Sequence, residues 1–327
     1  MNRSDQPVIA VDIGGTKIIS AVITGDGGML SRVHGLTLAQ EGPKKVIGRL
    51  VETVKRSIGK AGLRISMIGS ICVAAAGIID YNKGLITEAP NLPGWHNIPL
   101  RNILAVELDT PVFLLNDASA AALGEHRLGA GQGLDHLIYL TVSTGIGGGI
   151  IIKGELYNGA DGCAAEIGHM ILQVDGPPCK CGQRGCLEAL ASGTAIARMA
   201  GERLARGEQS ILTGMVDSSV KSVTSALVSV AARKGDTLAC GVIDAAAGYL
   251  GIGLANMVNI FNPQMIIIGG GVSRMGEMLL KPTRKAMKAH AFKLPGRTVR
   301  VVRPGLGLDA GLMGAAVYAW QKGEVTG

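Results

Sequence analysis

Three times along this 327-residue chain an apolar run stops at a knot of glycines. Gly14-Gly15-Thr16 follows Val8 to Val11, Thr144-Gly145 with Gly147 to Gly149 follows Leu137 to Val142, and Gly269 to Gly271 follows Met265 to Ile268. Glycines directly behind buried strands are a severe constraint, because they mark backbone conformations or close approaches that a Cβ forbids. The first two knots are followed by further apolar runs, Ile18 to Ile23 and Ile150 to Ile152, so strand, Gly/Thr turn and strand occur twice as a rough internal repeat. Helical spacing over 43–61 and 118–127, strands near 68–74 and 111–115, and a small-residue helix over 236–260 closed by Asn262-Pro263 alternate with these hairpins. That alternation predicts an α/β chain. No fixed period recurs, so the expectation is a duplicated domain with a cleft between its halves rather than a solenoid. The stretch 202–225 has little pattern and reads as loops and short helices.

Composition removes several function classes. Glycine totals 49 residues against 12 prolines, about twice its average usage, and without a Gly-X-Y period the excess belongs to turns. Aromatic residues are 3%, too few for base-stacking platforms. The net charge of +7 is concentrated: Lys281 to Arg303 holds eight Lys/Arg and no acidic residue, and Lys281, Arg284, Lys285 and Lys288 fall on one helix face. That pattern reads as a solvated face, so neither nucleic acid nor membrane is expected as a partner. Met1 to Pro7 is polar, and Ile65 to Ile79 is too short and too rich in small residues to span a bilayer, giving a cytoplasmic reading. In a reducing compartment clustered cysteines point to metal rather than disulfides.

The glycine loops can bring bare amides against phosphate oxygens, with Thr16 or Thr144 adding a hydroxyl; tight hairpin turns are the plain alternative for any one of them. None is a Walker A loop or a Gly-x-Gly-x-x-Gly dinucleotide motif, but together they favour a nucleoside triphosphate. Asp12 ends a buried strand, where a carboxylate is costly unless it meets a cation, and magnesium bound through water suits it. Lys17 either neutralises a terminal phosphate or points outward from its strand. Asn116-Asp117 precedes a helix and is either its N-cap or a carboxylate at a strand's carboxyl end, placed to take a proton from a hydroxyl. His169, Cys179, Cys181 and Cys186 form His-x9-Cys-x-Cys-x4-Cys, a closed tetrahedral set expected to hold structural zinc. Cys72, Cys163 and Cys240 read as small buried hydrophobes. Glu166 and Glu188 flank the metal residues as solvated acids or as hydrogen-bond acceptors for a polyol.

Together Glu166-Ile-Gly-His169, Cys179-Lys-Cys181-Gly182-Gln-Arg-Gly185-Cys186-Leu-Glu188, Asp12-Ile-Gly-Gly-Thr16, Asn91-Leu-Pro-Gly-Trp95, Asn116-Asp117 and Ser143-Thr144-Gly145 make a chain that resembles the ROK sugar kinases of the actin-like and hexokinase-like ATPase fold. The resemblance implies two ribonuclease-H-like domains flanking a cleft. A small domain would comprise 1–117 with about 304–327, and a large one 118–303 with the zinc loop. It implies ATP- and Mg²⁺-dependent phosphorylation of a hexose 6-hydroxyl, with Asp117 as catalytic base. Gly77, Asn91, Asn116, Glu166, His169 and Glu188 would hold the sugar. Asp12, Gly14, Gly15, Thr16, Lys17, Thr144 and Gly145 would serve the phosphates, and Gly270 and Gly271 the adenosine. Family zinc falls on His169, Cys179, Cys181 and Cys186. Ala74-Ala75-Ala76-Gly77 departs from the many family glucokinases that carry proline before that glycine, which leaves the hexose open. Glucose comes first, then fructose, mannose, N-acetylglucosamine or N-acetylmannosamine; polyphosphate in place of ATP, and a non-catalytic sugar-sensing regulator, are the rivals. A repressor would need a DNA-binding segment where eleven residues precede Asp12. A homodimer or tetramer is implied by analogy.

Overall fold

The computed structural model describes residues 6–216 and 222–325. In chain order it contains β1 (Val8–Ile13), β2 (Lys17–Ile23), β3 (Met29–Leu36), α1 (Pro43–Lys60), β4 (Ile71–Ala75), β5 (Ile78–Asp80), β6 (Leu85–Glu88), β7 (His96–Ile98), α2 (Leu100–Leu108), β8 (Val112–Asn116) and α3 (Asp117–Leu128). There follow β9 (Leu137–Val142), β10 (Ile146–Ile152), β11 (Glu155–Leu156), α4 (Leu187–Ala191), α5 (Gly193–Ala205), α6 (Ser225–Arg233), α7 (Thr237–Phe261), β12 (Met265–Gly269), α8 (Glu277–His290), α9 (Lys293–Thr298), β13 (Arg300–Val302) and α10 (Ala310–Val325). Two compact units emerge, one of 1–133, 149–165 and 305–327, the other of 134–148 and 166–304. Position 117/118, where the sequence reading divides the chain, lies inside the first.

In the first unit the sheet order is β3-β2-β1-β4-β8. β1 pairs antiparallel with β2, while β4 is parallel to both β1 and β8. Alternate residues of β1 serve different layers. Ile9, Val11 and Ile13 pack with Val46, Leu50 and Val54 of α1, and Val8 and Ala10 pack with Leu312, Ala315 and Ala316 of α10. Burial on both faces explains why these strands read as continuous apolar runs without polar alternation. The three-stranded sheet β5-β6-β7 and the helix α2 escape sequence reading because their segments are short and mix exposed with buried positions.

α3, which carries Asp117, is braced along its length. A Cβ on Gly124 would overlap Ala310 O, and one on Gly314 would overlap Ala120 O, so α3 and α10 touch backbone to backbone. Gly149 lies against the same helix, where a Cβ would meet Ala118 O at 2.8 Å. The triplet Gly147 to Gly149, expected as a loop, therefore sits within β10, and its last glycine admits α3. Glu125 is wholly buried and accepts from the amides of Ala130, Gly305 and Leu306 at 2.8 to 2.9 Å. It pins the chain where it re-enters the unit to form α10.

In the second unit β12 is parallel to both β9 and β13, and the order of the sheet that holds them is β11-β10-β9-β12-β13. α7 is long and apolar enough, by length and composition, to cross a membrane. The absence of such a segment was the sequence expectation, yet Ala246, Leu250, Gly251 and Leu254 are buried, and Gly251 lies against Ala286 of α8, which marks α7 as a core helix. Within 202–225, α5 continues to Ala205 and a short 3-10 turn covers Ile211–Met215. Residues 217–221 of that stretch lie outside the described residues, as do 1–5 of the polar start. The basic segment is divided among α8, α9 and β13, and Arg284 is committed to Val301 O at 3.0 Å and to Glu277 at 2.8 Å. Cys72 is buried as expected, but Cys163 is exposed in a loop and Cys240 is half-buried, which corrects the reading of all three as core residues.

Gly314→Ala should lower stability by about 1–3 kcal/mol, because the methyl has to separate α10 from the Ala120 carbonyl. Denaturant unfolding checks this, and an unchanged midpoint would contradict the backbone-to-backbone contact.

Candidate functional site

The first unit gathers its predicted residues at the carboxyl ends of three neighbouring strands, where open α/β sheets bind ligands. Asp12 of β1 pairs with Ala74 of β4, and Ala75 pairs with Asn116 of β8. Gly14 and Lys17 close the hairpin tip through Gly14 N to Lys17 O at 3.0 Å. Thr37, fully buried and not anticipated, braces the tip by donating to Gly14 O at 2.7 Å, and its own amide donates to Thr16 O at 3.1 Å. Thr16 and Lys17 are exposed. A Cβ on Gly15 would lie 2.8 Å from Asn91 O, so the tip rests on the loop carrying Asn91, and the buried Leu92 and Trp95 anchor that loop.

Asn116 caps α3. Its Oδ1 accepts from Ala118 N at 3.0 Å and Ser119 N at 3.1 Å, while its Nδ2 donates to Gly77 O at 3.2 Å. Gly77 has φ +125°, and a Cβ there would overlap Glu88 O, so this position requires glycine with or without a preceding proline. Asp117 opens the helix with Oδ1 accepting from Ala118 N at 2.8 Å. Burial raises its carboxyl above the usual aspartate range, and the Ala118 amide pulls it partway back. Both readings of the pair hold locally, since Asn116 supplies the cap and Asp117 stands at the strand's end. Asp12 is pushed up to about 6, by burial first and then by the charge of Asp117, against the opposing pull of Lys17 and Arg32. Arg32, which no motif signals, is held by Asp309 at 2.6 Å.

The second unit contributes a loop, a cavity and a cysteine cluster. The turn Ser143–Gly145 closes through Ser143 N to Gly145 O at 2.9 Å. Gly193 N donates to Ser143 O at 2.7 Å and the Thr194 hydroxyl donates to Thr144 O at 2.8 Å. Beside the turn lies a cavity of about 690 Å³ lined by Ser143, Thr144, Thr194, Arg198, Thr224 and Gly271 among others, well within the size range of small-molecule pockets. Gly270, at φ +83°, packs on the Val142 backbone, and Ser273 donates to its carbonyl at 2.7 Å. Thr194, Arg198 and Thr224 were missed because they lie in segments without a glycine knot.

His169, Cys179, Cys181 and Cys186 bring their ligand atoms within 4.8 Å of one another. Cys179 Sγ lies 3.7 Å from His169 Nδ1, and Cys181 Sγ lies 3.7 Å from Cys186 Sγ. A tetrahedral ion with metal–sulfur bonds of ~2.3 Å has ligand–ligand edges of about 3.8 Å, so this donor set fits zinc in size and softness. Burial pushes Cys186 up to about 12 and raises Cys179. Burial also acts upward on Cys181, but the Gln183 amide and the neighbouring thiols outweigh it and hold that thiol below its usual range. With Nδ1 turned to the cluster, His169 keeps Nε2 on the side of Glu166 Oε2, 3.9 Å away. Glu188 Oε2 accepts from Ile146 N at 2.8 Å, so this carboxylate is already engaged with the glycine turn.

Comparison with known proteins shows the family of the chain. The ROK family model matches residues 8–322. A glucokinase of Thermotoga maritima is 40% identical over 309 residues, covering 94% of this chain and 96% of that protein. The crystal structure of a ROK family glucokinase from Streptomyces griseus in complex with glucose and AMPPNP aligns at a TM-score of 0.84 and 37% identity, covering 96% of this chain and 99% of the other. A ROK family transcriptional regulator, a homologue of the E. coli MLC protein, aligns at 0.87 and 26% identity, covering all of this chain and 81% of its own.

The raised carboxyl of Asp12 has a consequence for stability. With a pKa of about 6 folded and 3.8 free, it binds its proton more tightly in the folded chain. The unfolded chain therefore ionises first as pH rises, and stability falls across that window. In chelator, Asp12→Asn should be the more stable chain above pH 6, by about 2 kcal/mol after allowance for partial exposure, and should match the wild type below about pH 4. Urea titrations at the two pH values check this; a difference independent of pH would contradict it.

Proposed function

The chain belongs to the ROK family and is a sugar kinase, and from that premise we propose that it transfers the γ-phosphoryl group of ATP to the 6-hydroxyl of a hexose, with glucose preferred. The observation that carries this reading is Asp117. It is a carboxylate fixed through Oδ1 at the first turn of α3, beside a second strand-end carboxylate, Asp12. In-line phosphoryl transfer asks for positioning and charge neutralisation more than for covalent chemistry. Asp117 accepts the proton of the 6-hydroxyl as that oxygen attacks the γ-phosphorus and the bond to the bridging oxygen of ADP breaks. The amides of Gly15 and Thr16, on the tip that Gly14 closes through its bond to Lys17 O, serve the phosphates together with the Lys17 side chain. Thr144 and Gly145 are assigned to the phosphates as well, and Gly270 and Gly271 to the adenosine. Gly77, Asn91, Asn116, Glu166, His169 and Glu188 are assigned to the sugar.

Two cations belong to the proposal. Magnesium supplies charge neutralisation on the phosphates when bound, and Asp12 is the carboxylate that would hold it through water, a role that fits a strand-end acid costly to ionise alone. Zinc is proposed for the Cys/His cluster, where three thiols and an imidazole leave no open position for water and so give it a structural part. The regulator at a TM-score of 0.87 keeps a sugar-sensing reading in view; retention of Asp12, Thr16, Asp117 and Thr144 together favours catalysis. A cytoplasmic homo-oligomer is proposed on family likeness alone.

A coupled ADP-release assay across glucose, fructose, mannose and the two N-acetylated hexosamines tests the reading, with glucose giving the highest kcat/KM. Asp117→Asn should lower kcat by about 10²–10⁴-fold with metal content and thermal unfolding near wild type; near-normal turnover would remove it as the base. Because Asp117 must be ionised and burial raises its pKa, the acid limb of kcat/KM should lie above the ordinary aspartate range. A limb at or below that range contradicts the assignment.

A further inference from the structure

The segment that follows the metal cluster makes several polar contacts with the glycine turn of the second unit. Cys186, a buried cluster residue, occupies the N-cap position of α4, so an ion that fixes its sulfur also fixes the first turn of that helix. Glu188, two residues on, reaches the turn with Oε2 on Ile146 N at 2.8 Å, while Oε1 lies 3.9 Å from Cys179 Sγ. Its carboxylate occupies the space a Cβ would need at Gly145. At the α4–α5 corner, Gly193 N and the Thr194 hydroxyl hold Ser143 O and Thr144 O. On the other flank of the cluster, Gly168, next to His169, lies so close to Ile146 O that a Cβ would overlap it. Residues next to or near two of the four ligands thus contact the two backbone polar groups of one residue, Ile146, at the end of the turn.

We infer that Glu188 is a positioning residue that couples the metal cluster to the nucleotide. With the ion in place, α4 and the Glu188 carboxylate hold the Ser143–Ile146 turn in the shape that receives phosphate. Without it, the turn loses its brace and nucleotide binding weakens, although the metal touches no phosphate. This rests on the kinase reading and adds to it a role for Glu188 beyond any contact with sugar hydroxyls. It also assigns the ion a part in ligand affinity in addition to its part in folding.

Energetic coupling between two sites is reciprocal, which gives a test independent of turnover. The full chain is loaded with Co²⁺, whose thiolate absorption reports occupancy, and AMPPNP binding is measured by calorimetry without sugar. In the wild type, loss of the metal should weaken AMPPNP binding about tenfold, and saturating AMPPNP should tighten Co²⁺ binding by the same factor. Glu188→Ala should keep the cobalt spectrum, bind AMPPNP more weakly while fully loaded, and show a reciprocal factor near one. Glu188→Gln, whose amide oxygen can still accept from Ile146 N, should retain the coupling. The metal-loaded Glu188→Ala arm keeps the test valid even if the metal-free chain unfolds. Indifference of AMPPNP affinity to the metal in the wild type, or an undiminished factor in Glu188→Ala, overturns the inference. A wild type that binds no AMPPNP in any metal state overturns instead the kinase reading beneath it.

Discussion

The first turn of α3 is where the chemistry of the first unit is fixed, and the side chain of Asn116 fixes it. Asn116 is the last residue of β8 in register with Ala75, and its amide oxygen takes the otherwise orphaned amides of Ala118 and Ser119. A cap of this kind contributes about 1 kcal/mol, but its larger effect is geometric. The helix starts at Asp117 and nowhere else, and the Asn116 Nδ2 bond to Gly77 O carries the same registration to the neighbouring loop. Behind it, contacts that tolerate no side chain at Gly124, Gly149 and Gly314 keep the helix from sliding, and the Glu125 carboxylate ties the returning chain to its far end.

That placement has an electrostatic cost. Burial raises the carboxyls of both Asp12 and Asp117, and the charge of Asp117 adds to the rise at Asp12, so ionising Asp12 costs the unit stability. Lys17 and Arg32 offset part of this for Asp12, and the Asp309 partner keeps Arg32 from swinging away. Under the proposed function, a polyanionic nucleotide with a divalent cation would change the balance further, since the cation favours the ionised carboxylate. In the proposed reading the ligands complete this group of charges, as expected where function is set against stability.

Much of this was legible in the sequence, for identifiable physical reasons. The strands β1, β9 and β12 announce themselves because they are buried on both faces, and the candidate metal cluster because three cysteines and a histidine fall within eighteen residues. The small sheet β5-β6-β7 and α2 were not legible, since half-exposed short strands carry no clean period. The glycines of 147–149 misled for a specific reason: they look like a loop, but they are strand residues thinned to admit α3. Arg32 and Thr37 reach the site only through tertiary packing, and no spacing in the sequence could have revealed them. Asn116 and Asp117 fall at the junction of a strand and a helix as the sequence suggests, but only the structure separates the capping side chain from the neighbouring carboxylate.

In the second unit the metal cluster and the glycine turn form one hydrogen-bonded assembly, with Glu188 between them. The central claim of the whole account remains the reaction itself, and phosphorus NMR of the product tests it most directly. With ATP, Mg²⁺ and glucose, the account predicts a new monoester resonance split by the two protons of a CH₂ group, the mark of phosphate on the 6-hydroxyl. A resonance split by a single proton, or inorganic phosphate as the sole product, would contradict it.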